Sequence, residues 1–264
     1  MTTLSTSLTT VTSPVIRTVD AVHRLGTIVG VWAHPDDEVY LSGGLMAAAA
    51  ARGQRVVVVT ATRGEHGTDD PARWPPARLA ARRGHEIVAS MAALHGDIEH
   101  RFLGDARGRC HLDGALRGDP GAETVDELAA VLADVAPDTV VTFGPDGLTG
   151  HGDHRAVSAW TDRALRQLAG ADGRGPRLLH ACVTAAWVER FGEFVEPMDD
   201  GDDAFRPVPT DRLAVDLELS GELLDRKVAA LRAQATQTAG LEAAVGSARY
   251  ETSVAGEYFV PGAS

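Results

Sequence analysis

The sequence alternates between short apolar runs and alanine-rich stretches, and this alternation limits the fold more than any other feature. Short apolar runs, most of them rich in valine, are typical of strands buried on both faces of a parallel sheet. Helical stretches separate them, as in β-α-β units. We therefore predict an α/β fold: a Rossmann-like, mostly parallel sheet flanked by helices, with the active site at the carboxyl ends of the strands. The predicted strands cover residues 27–32, 55–60, 98–103, 139–143 and 178–184, and the predicted helices cover residues 41–51, 79–94, 125–135 and 156–168.

Length and composition indicate one domain. The chain has 264 residues, of which 44% are hydrophobic and 23% are charged, so we predict a disordered extension over residues 1–26 and a single domain over residues 27–264. A net charge of −12 argues against nucleic acid as a partner. No apolar run approaches the roughly 18 residues of a membrane-spanning helix, and the start lacks a secretory signal, so we expect a soluble, cytoplasmic protein. The sequence does not decide between a monomer and a homo-oligomer.

A cluster of ligand-type residues follows the first predicted strand. His34, Pro35, Asp36, Asp37 and Glu38 come directly after the apolar run. An imidazole and a carboxylate at the end of a buried strand suit zinc or a similar divalent ion, and His34 and Asp37 are the candidate ligands. Adjacent side chains diverge, so Asp36 is the candidate general base for a water molecule at the ion.

A second cluster, His151-Gly152-Asp153-His154, follows the predicted strand 139–143. Carboxyl ends of parallel strands share one edge, so this cluster can meet the first in space. One imidazole, His151 or His154, would complete a three-ligand site while the other faces the substrate, and Asp153 would orient an imidazole as its hydrogen-bond partner. These ligand types leave the ion open between Zn²⁺ and Fe²⁺. The alternative is a loop network without a metal.

At these residues the chain resembles the LmbE-like (PIG-L) family of N-acetylglucosaminyl deacetylases, which includes mycothiol-pathway deacetylases. The family's motif AHPDDE is complete at Ala33 to Glu38, and its HPDH motif differs at one position, Gly152. Further similar segments extend the resemblance over most of the chain: Thr62 to Gly67, Arg83 with Glu86, Phe102 to Gly104, and Lys227 to Gln237.

The resemblance implies a zinc-dependent hydrolase that removes an N-acetyl group from an amino sugar. It assigns the ligand roles to His34, Asp37 and His154. In the same comparison Asp36 is the general base, and His151 is the acid or oxyanion stabiliser. Arg83 carries over as a substrate contact, because a guanidinium suits sugar hydroxyls or a phosphate; its alternative is a solvated helix arginine.

Three positions depart from the family's pattern. Arg107-Gly108 stands where an Asp-Gly pair is usual, so an expected sugar-contacting acid is absent or displaced to Asp105. Thr149 replaces a tyrosine, and Gln234 replaces a histidine. The metal and base positions survive while substrate-facing positions vary, which indicates that the chemistry is retained on an unfamiliar substrate.

Three other functions are alternatives to deacetylation. An amidase acting on a glucosamine-containing thiol conjugate, such as a mycothiol S-conjugate, would use the same residues. A metal-binding interaction protein without catalysis is an alternative of another class, which intact Asp36 and His151 disfavour. A nucleotide-binding oxidoreductase is disfavoured because no G-x-G-x-x-G loop follows the first strand.

The remaining features concern segments outside these motifs. Residues 189–211 are acidic and read as an exposed loop or lid, with a calcium site as a minor alternative. Residues 213–219 alternate like a half-buried strand, and a helix is predicted to begin near Ser220. The two cysteines, Cys110 and Cys182, fit a reducing compartment, although a disulfide between them stays an open alternative.

Overall fold

The computed structural model describes residues 14–109, 111–116, 121–169, 175–194 and 205–262. Its strands are β1 (Ile28–Trp32), β2 (Val56–Thr60), β3 (Glu99–Phe102), β4 (Thr139–Phe143), β5 (Arg177–Cys182), β6 (Val215–Glu218) and β7 (Gly256–Pro261). Its α-helices are α1 (Asp37–Ala50), α2 (Pro76–Leu94), α3 (Gly121–Val135), α4 (Gly152–Leu168), α5 (Ala185–Phe191), α6 (Gly221–Ala233), α7 (Ala235–Val245) and α8 (Ser247–Ser253). Short 3₁₀ helices cover Val19–Leu25, Asp105–Arg107, Gly192–Phe194 and Thr210–Arg212.

The strands form one sheet in the order β3-β2-β1-β4-β5-β7-β6. Neighbours pair in parallel from β3 to β5, whereas β7 is antiparallel to both β5 and β6. Every residue of β1, β2 and β4 is buried. The predicted α/β fold with a mostly parallel sheet is therefore confirmed, and so are the strand within residues 213–219 and the helix that begins after Ser220.

The chain reverses its direction across the sheet between β1 and β4. It moves from β1 outward to β3 and then returns to β4 and β5. Right-handed crossovers place the helices of the two halves on opposite faces, so α1 and α2 cover one face and α3 and α4 the other. The loops after β1 and β4 separate at this point, where α/β folds form their ligand crevices.

Four elements, β7, α5, α7 and α8, were not predicted from the sequence. β7 is an alternating strand that contains Glu257 and ends at Pro261, so its apolar content is low. α5 and α8 have seven residues each, and α7 has little amphipathic periodicity, which is the signal that such predictions use.

The predicted disorder of residues 1–26 is wrong for residues 14–26. Ile16 pairs with the main chain of Ala214 and Asp216, and Val22 and Leu25 of the first 3₁₀ helix are fully buried. Apolar side chains that belong to the hydrophobic core hold this segment in place despite its polar neighbours. Residues 1–13 lie outside the described residues.

Two further expectations fall partly outside the described residues. Cys182 is buried, whereas Cys110, its partner in the disulfide alternative, lies outside the described residues. Of the acidic segment, residues 195–204 are not described, and the calcium alternative falls largely on them. Within the described part of the chain, none of the helices has both the length and the apolar character needed to cross a membrane.

A half-buried histidine on β3, His100, makes stability depend on pH. Burial and the charge of Arg63 lower the pKa of His100 from 6.5 to about 4, against the opposing charge of Asp105. Between pH 6.5 and pH 4, His100 is protonated in the unfolded chain and neutral in the folded chain. Its contribution to stability is therefore complete above pH 6.5 and is lost as the pH falls towards 4.

Through His100, the wild type should lose about 2 kcal/mol of unfolding free energy between pH 7.5 and pH 5. We therefore expect the loss over this pH range to be smaller by that amount in His100→Gln. Glutamine keeps a polar partner for the Thr60 hydroxyl, which lies 3.0 Å from His100 Nε2. Urea denaturation of both proteins at the two pH values measures the difference. The same pH dependence in both would contradict the assignment.

Candidate metal centre and active site

The turn between β1 and α1 separates the side chains of two adjacent aspartates. Asp36 has a φ of 121°, a region that residues with a Cβ rarely occupy. Its N–H donates to Glu38 Oε2 at 3.0 Å, which holds the turn closed. Because of this turn, Asp37 begins α1 and bonds back to the His34 N–H through Oδ2 at 2.8 Å, whereas Asp36 faces Arg83.

Three ligand-type side chains converge from the ends of β1 and β4. One ligand atom from each of His34, Asp37 and His154 can be chosen so that all lie within 4.8 Å of one another. His34 Nδ1 is 3.5 Å from Asp37 Oδ2, and His154 Nε2 is 3.4 Å from Asp37 Oδ1. All three residues are buried, as the predicted cluster requires.

The His154 ring is held with one nitrogen available towards the cluster. Its Nδ1 lies 3.0 Å from the Gly147 carbonyl oxygen, which can only accept, so the proton belongs on Nδ1 and the Nε2 lone pair faces Asp37. The ring stacks on Phe143 with 4.0 Å between centroids. Burial, outweighing the charge of Asp37, lowers the pKa of His154 to about 4, so the imidazole is neutral, as a ligand must be.

His34 is oriented by two carboxylates on its other side. Its Nε2 lies 3.3 Å from Asp153 Oδ2 and 3.1 Å from Asp113 Oδ1. Burial lowers the pKa of His34, but the hydrogen bonds to these carboxylates and the nearby Asp37 outweigh it, and the net shift is upward. Asp153 is itself fixed by the N–H groups of Gly114 and Leu116, at 2.7 and 3.1 Å.

Asp36 is half-buried, with 19% of its side chain exposed, and faces the guanidinium of Arg83. Burial raises its pKa to about 7, against the opposing charge of Arg83, whose Nη2 is 3.5 Å from Asp36 Oδ2. Arg83 is only 3% exposed and also donates to the carbonyls of Gly64 and Pro35. The alternative of a solvated helix arginine is therefore wrong, and this side chain joins the two loops that flank the site.

His151 lies beside the cluster formed by His34, Asp37 and His154. Its ring centroid is 4.9 Å from that of His34 and 4.8 Å from that of His154. Its Nδ1 accepts the Asp153 N–H at 3.1 Å, which leaves the proton of the neutral ring on Nε2. Burial and the charge of His34 lower the pKa of His151, so the ring is a neutral N–H donor.

A cavity of about 570 Å³ opens over these side chains. Its polar lining includes Asp36, Arg83, Asp113 and His151, and Thr149 joins it beside the histidines. Aromatic and aliphatic side chains line the remainder. The arrangement offers a divalent ion two imidazoles and a carboxylate, a free carboxylate beside them, and room for a substrate.

The comparisons with known proteins agree with this geometry. The family described as PIG-L, GlcNAc-PI de-N-acetylase, matches residues 29–165, which contain both ligand clusters. The chain belongs to the PIG-L family. The family resemblance predicted from the motifs is thereby confirmed, and the protein is a metal-dependent deacetylase, a hydrolase of amide bonds.

Named relatives support the same membership. The chain is 31% identical to a 1D-myo-inositol 2-acetamido-2-deoxy-α-D-glucopyranoside deacetylase of Corynebacterium diphtheriae, over 86% of this chain and 82% of the relative. It is 37% identical to a deacetylase of the same name from Streptomyces griseus, over 79% of this chain and 74% of the relative. Among solved structures, the N,N'-diacetylchitobiose deacetylase of Pyrococcus horikoshii superposes with a TM-score of 0.61 at 19% identity, covering 89% and 83% of the two chains, and supports the fold.

The structure corrects the expectation that the sugar-contacting acid is absent or displaced to Asp105. Asp105 forms an ion pair with Arg63 at 2.7 Å and is not among the cavity residues. The acid after β3 that lines the cavity is Asp113, in an Asp-Gly pair with Gly114. The 3₁₀ helix Asp105–Arg107 lengthens the segment after β3, so the Asp-Gly pair lies later in the chain than Arg107-Gly108, where the family's pattern predicts it. The Asp-Gly dipeptide itself was the missed signal.

Gln234, which replaces the family's histidine, is buried and hydrogen-bonded to two other side chains. Its amide donates to Glu38 Oε1 at 2.7 Å and to the Ser90 hydroxyl at 3.2 Å, and it is 1% exposed. Burial raises the pKa of Glu38 to about 8. Gln234 therefore supports the residue that closes the Asp36 turn, and it lies behind the cavity wall.

Proposed function

We propose that the protein is a zinc-dependent N-deacetylase that hydrolyses the N-acyl group of an amino sugar or amino-sugar conjugate in the cytoplasm. The observation that carries this proposal is the convergence of His34, Asp37 and His154 within 4.8 Å, from the turns that follow β1 and β4. Costly burial of imidazole and carboxylate side chains at one point has a ready explanation in a shared cation.

The three donors fit a catalytic divalent ion. Two imidazoles and one carboxylate leave room for a further ligand, as catalytic zinc sites do, and the same set accepts Fe²⁺. Burial raises the pKa of Asp37, but electrostatic interactions with the two histidines and hydrogen bonds from His34 outweigh it and lower the pKa to about 2, so the carboxylate stays ionised. A divalent ion held by His34, Asp37 and His154 would supply Lewis acidity for the amide carbonyl and would lower the pKa of water at the site.

The residues around the ion divide the proton chemistry between them. Asp36, which takes no part in the donor set, receives a proton from water as the general base. The Nε2–H of His151 donates a hydrogen bond to the oxygen on which negative charge develops, and the proton that Asp36 takes from water passes to the departing amine. Asp153 positions the His34 ring through Nε2, as carboxylates commonly do for metal-binding histidines.

The polar part of the cavity suits the sugar. The relatives' names describe an N-acetylglucosaminide as their substrate, and the cavity here presents Asp113, Arg83 and Gln237, which can pair with hydroxyl groups. We assign Asp113 and Arg83 to substrate contact on this basis. The apolar remainder of the cavity argues that the complete substrate differs from an inositol glycoside.

The test is metal analysis together with release of amine. We expect about one equivalent of zinc or iron per chain, hydrolysis of N-acetylglucosamine conjugates, loss of activity with a chelator, and its return on addition of Zn²⁺ or Fe²⁺. Protein without bound metal would contradict the proposed centre. Metal binding without amine release from any N-acyl amino sugar would favour a non-catalytic metal protein.

A further inference from the structure

The sheet order divides the cavity into two chemically different ends. The metal-ligand candidates follow the central strands β1 and β4. On one side, the loops after β2 and β3 contribute His66 and Asp113. On the other side, β5 and the segment after it contribute Cys182, Val183 and Trp187. A substrate whose scissile amide lies at the centre therefore extends towards a polar end and an apolar end.

The apolar end is built around three aromatic rings. Trp187 stacks on Phe205 with 5.7 Å between centroids, and Phe194 lines the same wall. The Trp187 indole N–H donates to the Ser253 carbonyl oxygen at 2.9 Å, which fixes the ring plane and spends its only donor. None of the three rings is fully buried, so they present apolar surface to the open cavity.

This aromatic wall is joined to the loop that orients His154. The Phe205 N–H donates to the Leu148 carbonyl at 2.8 Å, and the neighbouring Gly147 carbonyl accepts from His154 Nδ1. Leu148 itself faces the cavity. The apolar end is therefore continuous with the catalytic centre. A chain that is attached to the carbonyl carbon and extends in this direction would contact the aromatic rings.

The two ends assign the two parts of the amide. Sugar hydroxyls need hydrogen-bond partners, which the Asp113 and Arg83 end provides. The polar side chains that line the cavity near Trp187 are bonded to other protein groups: Ser253 to the Tyr250 carbonyl, Glu257 to Lys227 and Tyr258 to Glu218. With the amine component at the polar end, the acyl component points to the apolar end. An acetyl group stops one carbon beyond the carbonyl and would leave most of that apolar surface facing water.

We propose that the acyl group of the preferred substrate is a medium-length alkanoyl or aryl-alkanoyl chain, seated against Trp187, Phe194 and Phe205. This inference rests on the proposed function and specifies its substrate class. In the reaction, the oxygen of water bonds to the carbonyl carbon, the C–N bond breaks, and the nitrogen takes a proton. The products are the fatty or aryl carboxylate and the free amino sugar.

The experiment compares two matched series with the zinc-loaded protein. The first is methyl glucosaminide carrying N-acetyl, N-butanoyl, N-hexanoyl or N-octanoyl; the second is N-acetylglucosamine with methyl, butyl, hexyl or octyl at the anomeric oxygen. Release of amine gives kcat/KM. We expect a rise of about fourfold per methylene along the first series until the apolar end is filled, and little change along the second.

Variants locate the effect. Trp187→Ala is expected to lower the octanoyl-to-acetyl ratio of kcat/KM at least about tenfold, since it removes the largest ring of the wall. Phe205→Ser, in a loop, tests the same wall if the first variant folds poorly. Trp74→Ala removes a tryptophan outside the cavity and should leave the ratio unchanged.

The outcomes separate this inference from the proposed function. Efficient hydrolysis of the N-acetyl compound with a flat or falling N-acyl series would overturn the acyl assignment and leave the deacetylase proposal standing. A rise confined to the alkyl glycosides would place the aglycone at the apolar end instead. Absence of amine from every compound would overturn both.

Discussion

The Asp36→Asn protein is expected to keep its metal while its kcat falls about 10²- to 10⁴-fold. Asparagine retains the size of the side chain and tolerates the positive φ of 121° at this position. It cannot take a proton from water, however, and Asp36 lies outside the cluster formed by His34, Asp37 and His154. The loss should therefore appear in turnover and not in metal content.

The matched change one residue later should behave differently. Asp37→Asn removes the charge of a proposed ligand, so we expect loss of most of the bound metal as well as of activity. Asp69→Asn, at an exposed position, is the surface control and should alter neither quantity. Metal analysis after gel filtration, combined with amine release, measures both effects. Equal metal loss in the Asp36 and Asp37 variants would reverse the assignment of base and ligand.

The sequence was sufficient for the parts of the site that follow regular strands. His34 and His154 are far apart in the chain, but each follows a run of apolar residues, and parallel strands end at one edge. Their meeting could therefore be predicted without coordinates. The separate orientations of Asp36 and Asp37 were also predictable, because adjacent side chains at the start of a helix diverge.

The missed parts depend on irregular backbone or on distant pairs. Asp113 follows a 3₁₀ turn and a loop that carry no periodic signal, so its distance from β3 could not be read from the sequence. The segment around Ile16 looked like polar, unstructured chain, yet it pairs with β6. Lys227 reads as a surface helix residue, and its buried partner Glu257 lies on a strand that was not predicted.

The Lys227–Glu257 pair leads to the second large prediction. Both side chains have 0% exposure, and Lys227 Nζ lies 2.7 Å from Glu257 Oε1 and 2.9 Å from the Tyr40 carbonyl. Removing one partner of a buried ion pair leaves the other charge unpaired. We expect Lys227→Met to lower the free energy of unfolding by about 3–5 kcal/mol, measured by urea denaturation.

The neighbouring residue on the same helix provides the control. Arg226 pairs with Glu222 one turn earlier, with side-chain exposures of 41% and 81%. Arg226→Met should therefore cost less than about 1 kcal/mol, as is usual for surface ion pairs. A loss of similar size in the two variants would contradict the special role of Lys227, because both changes remove a cation and retain an apolar side chain.

The ion pair is also built into the backbone of α1, which begins with Asp37. Glu257 accepts the N–H groups of Gly44 and Leu45, both at 2.7 Å, while Lys227 donates to Tyr40. In a regular helix the Gly44 N–H would donate to the Tyr40 carbonyl, and here each has a partner from the pair. A Lys227→Met/Glu257→Leu double variant should therefore remain less stable than the wild type, since it restores charge balance but deprives these backbone groups of their side-chain partners. Full recovery in the double variant would show that charge alone, and not the shape of α1 behind the metal centre, is what the pair maintains.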